Sequence, residues 1–138
     1  MPRFMLDADT VSYAIRGQGQ VAARLLQHRP SELCVSSITL AELKFGAEAK
    51  RSQKLRRAIR AFATDVAVVP FDEAAAAKLA ELRARKIRIG TQDLRIAAIV
   101  LSIGGVLITS NRRDFEQVAG LEIEDWTIED NKVAKRTL

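Results

Sequence analysis

Four short apolar runs, each leading into a polar or acidic turn, constrain the fold of this 138-residue chain more than any other feature. They span residues 3–6, 33–36, 66–69 and 106–109, and segments with helical periodicity separate them. Strands of about four residues joined by helices require crossover connections, which are typical of parallel sheets. The sequence therefore predicts an α/β fold with a central parallel sheet of four to five short strands, flanked by helices on both faces. A run at 121–123 is the candidate fifth strand, at an edge.

The helices between these strands follow from apolar spacing and from stop signals. Thr91 is the predicted cap of a helix that runs to Ile103, and Gly104 with Gly105 is its predicted stop. Further helices are predicted from residue 10, at 21–28, from residue 39, at 50–64, at 72–86 and at 112–118. We predict a single domain over 1–126 and a polar, flexible tail over 127–138.

An acid follows three of these strands, and a fourth acid lies in the first turn of a predicted helix. The four acids in question are Asp7, Glu42, Asp93 and Asp114. In a parallel α/β sheet, functional groups collect beyond the carboxyl ends of the strands, so these side chains are predicted to gather at one edge. Oxygen ligands with incomplete protein coordination suit Mg²⁺ or Mn²⁺. The arrangement therefore predicts a divalent metal site.

Each acid also has a purely structural alternative. Glu42 would complete a capping box with Thr39, Asp93 would complement a helix dipole, and Asp9 would itself be a helix cap. Asp114 would be a solvated surface acid. Asp7 is the hardest to explain as a cap, because it stands between a buried strand and Ala8. Several carboxylates at one edge would repel each other unless protons or cations compensate.

The charge of the chain favours a polyanionic partner. The net charge is +5 and the sequence pI is about 9.8, which makes nucleic acid the leading candidate. A basic helix face over 50–60 could contact phosphates, although a plain solvated face explains it as well. Aromatic residues make up only 5% of the chain, which disfavours an aromatic platform as the main mode of binding nucleic acid.

The inventory of residues excludes several other chemistries. Cys34 is the only cysteine and is predicted to be buried, so no disulfide or thiolate metal cluster is available. His28 is the only histidine, which excludes a two-histidine nuclease, and we predict it to be a surface residue. Glycine-rich nucleotide loops are absent. No apolar run reaches about 18 residues and no secretory signal is evident, so a cytoplasmic location is expected.

Five segments together resemble PIN-domain toxins of the VapC type. These segments are 4–13 (FMLDADTVSY), 36–47 (SSITLAELKFGA), 89–98 (IGTQDLRIAA), 107–115 (LITSNRRDF) and the ending 120–126 (GLEIEDW). They occur in the right order and spacing and cover about residues 3 to 126. The resemblance implies a PIN-like fold and a metal-dependent endoribonuclease that is the toxin of a toxin–antitoxin pair. It also implies a cognate antitoxin, an RNA substrate with tRNA among the candidates, and a homodimer, without a membrane.

The resemblance assigns roles residue by residue. Asp7, Glu42 and Asp93 match the invariant acids of the family. In the implied mechanism Asp7 and Asp93 bind Mg²⁺, with Mn²⁺ as the alternative, and Glu42 orients or deprotonates water. The remaining predicted site residues are Asp114 or Asn111 as the fourth member of the cluster, Asp9 and Asn111 behind the ligands, and Arg112 and Arg113 as contacts to RNA phosphates.

Two departures from the family pattern stand in this sequence. Position 9 is commonly Asn in these toxins, and Asp9 adds a negative charge. Many PIN nucleases carry an acid at the place of Asn111. Two other functions compete: a non-catalytic nucleic-acid-binding or regulatory module of the same fold, and a small metal-dependent phosphatase.

Overall fold

A five-stranded, all-parallel sheet forms the centre of the computed structural model, which describes residues 2–128. The strand order is β3-β2-β1-β4-β5, and every neighbouring pair is parallel. The strands are β1 (Phe4–Leu6), β2 (Leu33–Ser36), β3 (Ala67–Val69), β4 (Val106–Ile108) and β5 (Glu122–Glu124). The predicted α/β class is therefore confirmed. The chain adds β2 and β3 on one side of β1 and then returns to its other side with β4.

Helices make every connection between consecutive strands. Within residues 2–128 they are α1 (Ala8–Ile15), α2 (Gly19–Leu25), α3 (Ser37–Ala49), α4 (Gln53–Asp65), α5 (Glu73–Ala84), α6 (Thr91–Ile103) and α7 (Arg112–Phe115). Side chains alternate between the two faces of a strand, and the buried core is split accordingly. Met5 packs in the cluster that holds most of α6, whereas Phe4 and Leu6 pack in the other cluster. Helices thus cover both faces of the sheet.

The stop of α6 is confirmed, but its predicted cap is wrong. Gly104 ends the helix with a φ of 62°, a left-handed conformation that glycine adopts at little cost. At Gly105 an added Cβ would stand 2.7 Å from the carbonyl oxygen of Arg3, so the close approach of β1 requires glycine. At the other end Gly90 is the cap residue and Thr91 is already the first helical residue.

Trp126 packs in the buried cluster that contains Phe4 and Leu6. It is 1% exposed, and its indole Nε1 donates to Glu124 Oε1 over 2.9 Å. His28 stacks on it with ring centroids 4.8 Å apart and an interplanar angle of 4°. His28 also lies 4.5 Å from the ring of Phe4, so its predicted surface position is wrong. The stacking partner, Trp126, is almost one hundred positions away along the chain, so the residues next to His28 could not predict its position.

Three further predictions concern membrane spans, the C-terminal tail and Cys34. No helix in residues 2–128 is long and apolar enough to cross a membrane. The predicted flexible tail, 127–138, falls outside the described residues from 129 onwards, and the domain boundary at 126 stays a prediction. Cys34 is buried as predicted, and burial raises the pKa of its thiol to about 12.

We expect Trp126→Ala to lower the free energy of unfolding by about 3–5 kcal/mol, because it empties a closed aromatic cluster. Urea denaturation measures this change. Leu26→Ala is the matched control, since Leu26 is 88% exposed, and should change stability by less than about 0.5 kcal/mol. Equal effects of the two changes would contradict the role of Trp126.

Candidate active site

Asp7 lies at the point where the strand order reverses. It is the first residue after β1, which has β2 on one side and β4 on the other. Its backbone N–H donates to the carbonyl of Ile108 at the end of β4 over 3.0 Å. Open α/β sheets bind ligands at such a switch point, outside the carboxyl ends of the strands. The predicted placement of Asp7 at this edge of the sheet therefore follows directly from the strand order.

The cap of α1 is Asp7, and the predicted assignment of that cap to Asp9 is wrong. Asp7 Oδ1 accepts from the backbone N–H of Thr10 over 2.9 Å, and Asp9 lies within the first turn. The hydroxyl of Thr10 donates to the carbonyl of Ile108 over 3.1 Å and is buried. An ionised carboxylate offers about four lone-pair sites, so one capping bond leaves Asp7 free to accept more.

The structure excludes the helix-capping role that was the alternative for Glu42. Helix α3 begins at Ser37 with Ser36 as its cap, whose Oγ accepts from the backbone N–H of Thr39 over 2.9 Å. Thr39 is therefore inside the helix, and the capping box that would have used Glu42 does not form. Glu42 lies in the second turn, and its side chain makes no hydrogen bond or ion pair within residues 2–128. A carboxylate kept without a structural partner is available for function.

Asp93 and Asp114 lie on the two helices that precede and follow β4 along the chain. Asp93 lies in the first turn of α6, where the positive end of the helix favours a negative charge. Asp114 lies in α7, and its Oδ2 accepts from Asn111 Nδ2 over 3.2 Å. The backbone N–H of Asn111 donates to the hydroxyl of Thr109 over 3.0 Å. Asn111 and Asp114 are thus one hydrogen-bonded unit.

Burial and the charges of neighbouring acids raise the pKa values of Asp7, Glu42 and Asp93, so the acids share one electrostatic site. Desolvation is the largest cause for Asp93, followed by the charges of Asp114, Asp7 and Asp9, and all of them raise its pKa. The pKa of Glu42 is raised by desolvation and then by Asp93, Asp7 and Asp9. Five carboxylates from four separate segments therefore converge, including Asp9, which the sequence placed only behind the ligands.

Asp7 has the most elaborate surroundings of the five. Desolvation raises its pKa, while hydrogen bonds from Thr109 and Thr10 lower it in part, and the charge of Asp9 raises it again. The hydroxyl of Thr109, a buried residue, thereby supports the ionised form of Asp7. Sequence reasoning missed Thr109 and Thr10. Their positions, directly after β4 and three residues after Asp7, are the signal that would have found them.

These residues fit a hard divalent cation. The donors are carboxylate and amide oxygens, and a cation would relieve the repulsion that raises the pKa values of Glu42 and Asp93. Among residues 2–128, no group of three or more histidine, cysteine or acidic side chains stands close enough together to hold a metal ion ready-made. Mg²⁺ does not need such a cage, because it keeps several waters and takes only one or two carboxylates.

The comparison with known sequences decides the family. The family model described as PIN domain matches residues 4–121, which is most of the chain. The chain belongs to the PIN-domain family. The resemblance read from the five sequence segments, and the PIN-like fold that it implied, are therefore confirmed.

Relatives of this PIN domain match it along nearly its whole length. The tRNA(fMet)-specific endonuclease VapC of Shigella flexneri is 33% identical over 132 residues, covering 92% of this chain and 100% of that relative. Ribonuclease VapC of Haemophilus influenzae is 32% identical over 131 residues, covering 91% and 99%. The crystal structure of DNA-bound VapBC from Salmonella typhimurium aligns with a TM-score of 0.79 at 34% identity, covering 91% of this chain and 99% of that chain.

The basic residues predicted to contact RNA differ in their surroundings. Arg112 Nε lies 3.4 Å from Glu116 Oε1, one turn along, whereas Arg113 is exposed beside it. On the basic face of α4, Arg56 pairs with Glu48 over 2.8 Å. These pairs hold two of the cations against the protein's own surface.

We expect Asp93→Asn to raise the Tm of the metal-free PIN domain at neutral pH. The folded pKa of Asp93 is raised above its ordinary 3.8, so the unfolded state releases its proton first and stability falls as the pH rises through that window. Removing the charge removes this loss, worth roughly 4 °C for each kcal/mol recovered. Scanning calorimetry across pH measures the gain, which should shrink toward about pH 4.

Glu73→Gln is the matched control for that experiment, since Glu73 occupies the first turn of α5 and shares the helix-dipole interaction without the acidic neighbours. It should leave the Tm unchanged or lower it slightly. The charge-repulsion account is wrong if both variants behave alike at neutral pH.

Proposed function

We propose that this chain is a Mg²⁺-dependent endoribonuclease and the toxin of a toxin–antitoxin pair. The observation that carries the proposal is the convergence of Asp7, Asp9, Glu42, Asp93 and Asp114 at the carboxyl edge of a PIN-domain sheet. The names of the relatives support the activity, because they include a ribonuclease VapC and a tRNA(fMet)-specific endonuclease VapC. The charge of +5 supports a polyanionic substrate.

The proposed roles follow from the surroundings of each acid. Asp7 and Asp93 would hold the cation, with Asn111 and Asp114 orienting its coordinated waters. A divalent ion bound there would activate water and stabilise the charge that builds on the phosphodiester. Glu42 accepts the proton of the attacking water, and its raised pKa brings it closer to the range in which a general base is effective at neutral pH.

The remaining residues position rather than react. Thr10 and Thr109 hold the carboxylate of Asp7 through hydrogen bonds, so that it cannot turn away from the site. Arg113 is the better placed of the two neighbouring arginines for a phosphate contact, because Arg112 already has Glu116 beside it. The reaction adds water across the phosphodiester bond and releases two RNA ends.

The substrate and partner are proposed from relatives. The Shigella flexneri relative is named for tRNA(fMet), so initiator tRNA is the first RNA to test. The Salmonella typhimurium structure is a VapBC complex bound to DNA, so we propose a cognate antitoxin and a homodimeric toxin for this chain. Cleavage of RNA in the cytoplasm would inhibit translation and arrest growth.

Asp7→Asn and Asp93→Asn should each lower the rate of RNA cleavage by more than about 100-fold, beyond what is typical for residues behind the ligands. Both substitutions preserve side-chain size, and Asn retains the cap of α1. Cleavage of an initiator tRNA transcript in Mg²⁺ measures the loss, and circular dichroism verifies the fold. In cells, mapped RNA ends and growth arrest should appear only with the wild type.

The outcomes distinguish the proposal from its competitor. Full cleavage in excess EDTA, or by Asp93→Asn, would refute the metal-dependent mechanism. RNA binding without cleavage by the wild type, and without a Tm gain in millimolar Mg²⁺ or Mn²⁺, would instead support the non-catalytic module.

Asp9→Asn tests whether Asp9 shares the proposed metal-binding role of Asp7. Asp9 is exposed and caps nothing, but its charge raises the pKa values of Asp7, Glu42 and Asp93. The variant should therefore keep activity within about tenfold and shift the acid limb of the pH–rate profile to lower pH. A loss as large as that of Asp7→Asn would place Asp9 among the metal ligands.

A further inference from the structure

The last turn of α5 and the loop that follows it form an acid-free run of positive charge. Residues 82–92 contain no Asp or Glu. They contain four basic side chains, which we call the α5–α6 cations: Arg83, Arg85, Lys86 and Arg88. All four are exposed, and none makes a side-chain hydrogen bond or ion pair within residues 2–128. So much positive charge on a surface without acids requires an explanation.

Two isoleucines hold these cations at a fixed place on the fold. Ile87 and Ile89 are half-buried and pack against the core cluster that holds most of α6. Arg88 lies between them in sequence, and Asp93, in the first turn of α6, follows five positions later. The Cα atoms of Arg88 and Asp93 are therefore at most about 18 Å apart. A stacked nucleic-acid strand carries one phosphate about every 3.4 Å, so about five nucleotides cover that distance.

The α5–α6 cations do not neutralise the acid site. Burial is the largest cause of the raised pKa values of Asp93 and Glu42, the other causes are neighbouring acids, and no cation lowers either pKa. The ionised acids therefore repel the phosphates of an approaching RNA strand. Cations beside the site, rather than within it, offset this repulsion.

The end of α5 explains only part of this charge. Cations in the last turn of a helix interact favourably with its negative end, and Arg83 lies in the last turn of α5. Lys86 has a φ of 56°, just beyond the helix, where glycine is usual and other residues are strained. Arg88 lies farther on, and the dipole effect falls off within the last turn. Helix stability therefore leaves Lys86 and Arg88 unexplained.

We propose that the α5–α6 cations bind successive phosphates of the RNA strand on one side of the scissile bond. The inference rests on the proposed ribonuclease function and adds to it a binding surface for the uncut part of the substrate. Three of the four cations are arginines, whose planar guanidinium groups bind phosphate oxygens in pairs. Phosphate contacts fix the register of a strand without reading its sequence. These side chains therefore supply affinity and position, and leave the choice of base to other residues.

The same charges favour RNA over a second copy of the chain as the partner. A twofold homodimer interface uses the same patch on both protomers. An interface centred on the α5–α6 cations would bring like charges together, which is costly. Protein interface cores are also depleted of charged residues. In the proposed homodimer these cations therefore remain open to RNA.

The salt dependence of RNA binding tests this assignment. The probe is a single-stranded oligoribonucleotide that carries the cut mapped for the wild type, or polyuridylate if no cut is found, and fluorescence anisotropy in EDTA measures its binding. The triple variant Arg85→Gln/Lys86→Gln/Arg88→Gln should lose about 0.7 in the slope of log K against log[salt] for each lost phosphate contact, about 2 in all. Its affinity should be on the order of 100-fold lower at about 0.1 M salt, and equal to that of the wild type near about 1 M.

The matched control is Lys78→Gln, which removes a cation from the same helix. Lys78 Nζ already lies 3.5 Å from Glu81 Oε2, so this change should leave the slope nearly unchanged. The charge-retaining variant Arg85→Lys/Lys86→Arg/Arg88→Lys should restore the slope. In Mg²⁺, the glutamine triple variant should raise KM with little change in kcat, because its side chains do not contact the reacting atoms. Urea denaturation verifies that every variant is folded.

Three outcomes would overturn the inference, and they separate it from the function on which it rests. A wild type that cuts RNA, with an unchanged salt slope in the glutamine triple variant, refutes the phosphate contacts alone. An altered sedimentation of that variant, with an unchanged slope, assigns the cations to a protein interface. A wild type that neither cuts nor binds RNA refutes the function and the phosphate contacts together.

Discussion

One carbonyl group, that of Ile108, joins the two halves of the site. It accepts from the backbone N–H of Asp7 and from the hydroxyl of Thr10, so the end of β4 and the start of α1 are fixed to each other. The carboxylate of Asp7 then has a defined position between two strands that are far apart in sequence. Glu42 and Asp93 are placed relative to this junction by their helices. The geometry of the site thus depends on backbone pairing at the centre of the sheet.

Gathering the acids in one site reduces the stability that the same acids give to their helices. Helix caps and helix dipoles stabilise the start of each helix, and Asp7 and Asp93 both contribute in this way. Burial in the site nevertheless raises the pKa values of both carboxyl groups, and the charge of Asp9 raises them further. Functional sites commonly concentrate such shifts. A bound cation would convert the same charges from a destabilising cluster into a stabilising one.

The sequence predicted the strands and the edge where the acids meet, because both follow from short-range patterns of apolar residues. It assigned the helix starts wrongly at Asp9, Thr39 and Thr91, because the cap is decided by backbone dihedral angles one to three residues earlier. It also misplaced His28, whose stacking partner Trp126 is distant in sequence. The sequence could not predict that Phe45 is 75% exposed. An apolar position in a helix looks the same in sequence whether tertiary packing covers it or not.

The central position of β1 determines how early the site can form while the chain is being synthesised. Strand β1 can pair with β2 early, but its other neighbour, β4, begins at Val106. Contacts of such large sequence separation form slowly, and domains fold largely as units during synthesis. A nascent chain therefore carries Asp7 without the strand that orients it until β4 has been made. The acid site can form only after some hundred further residues have been added to Asp7.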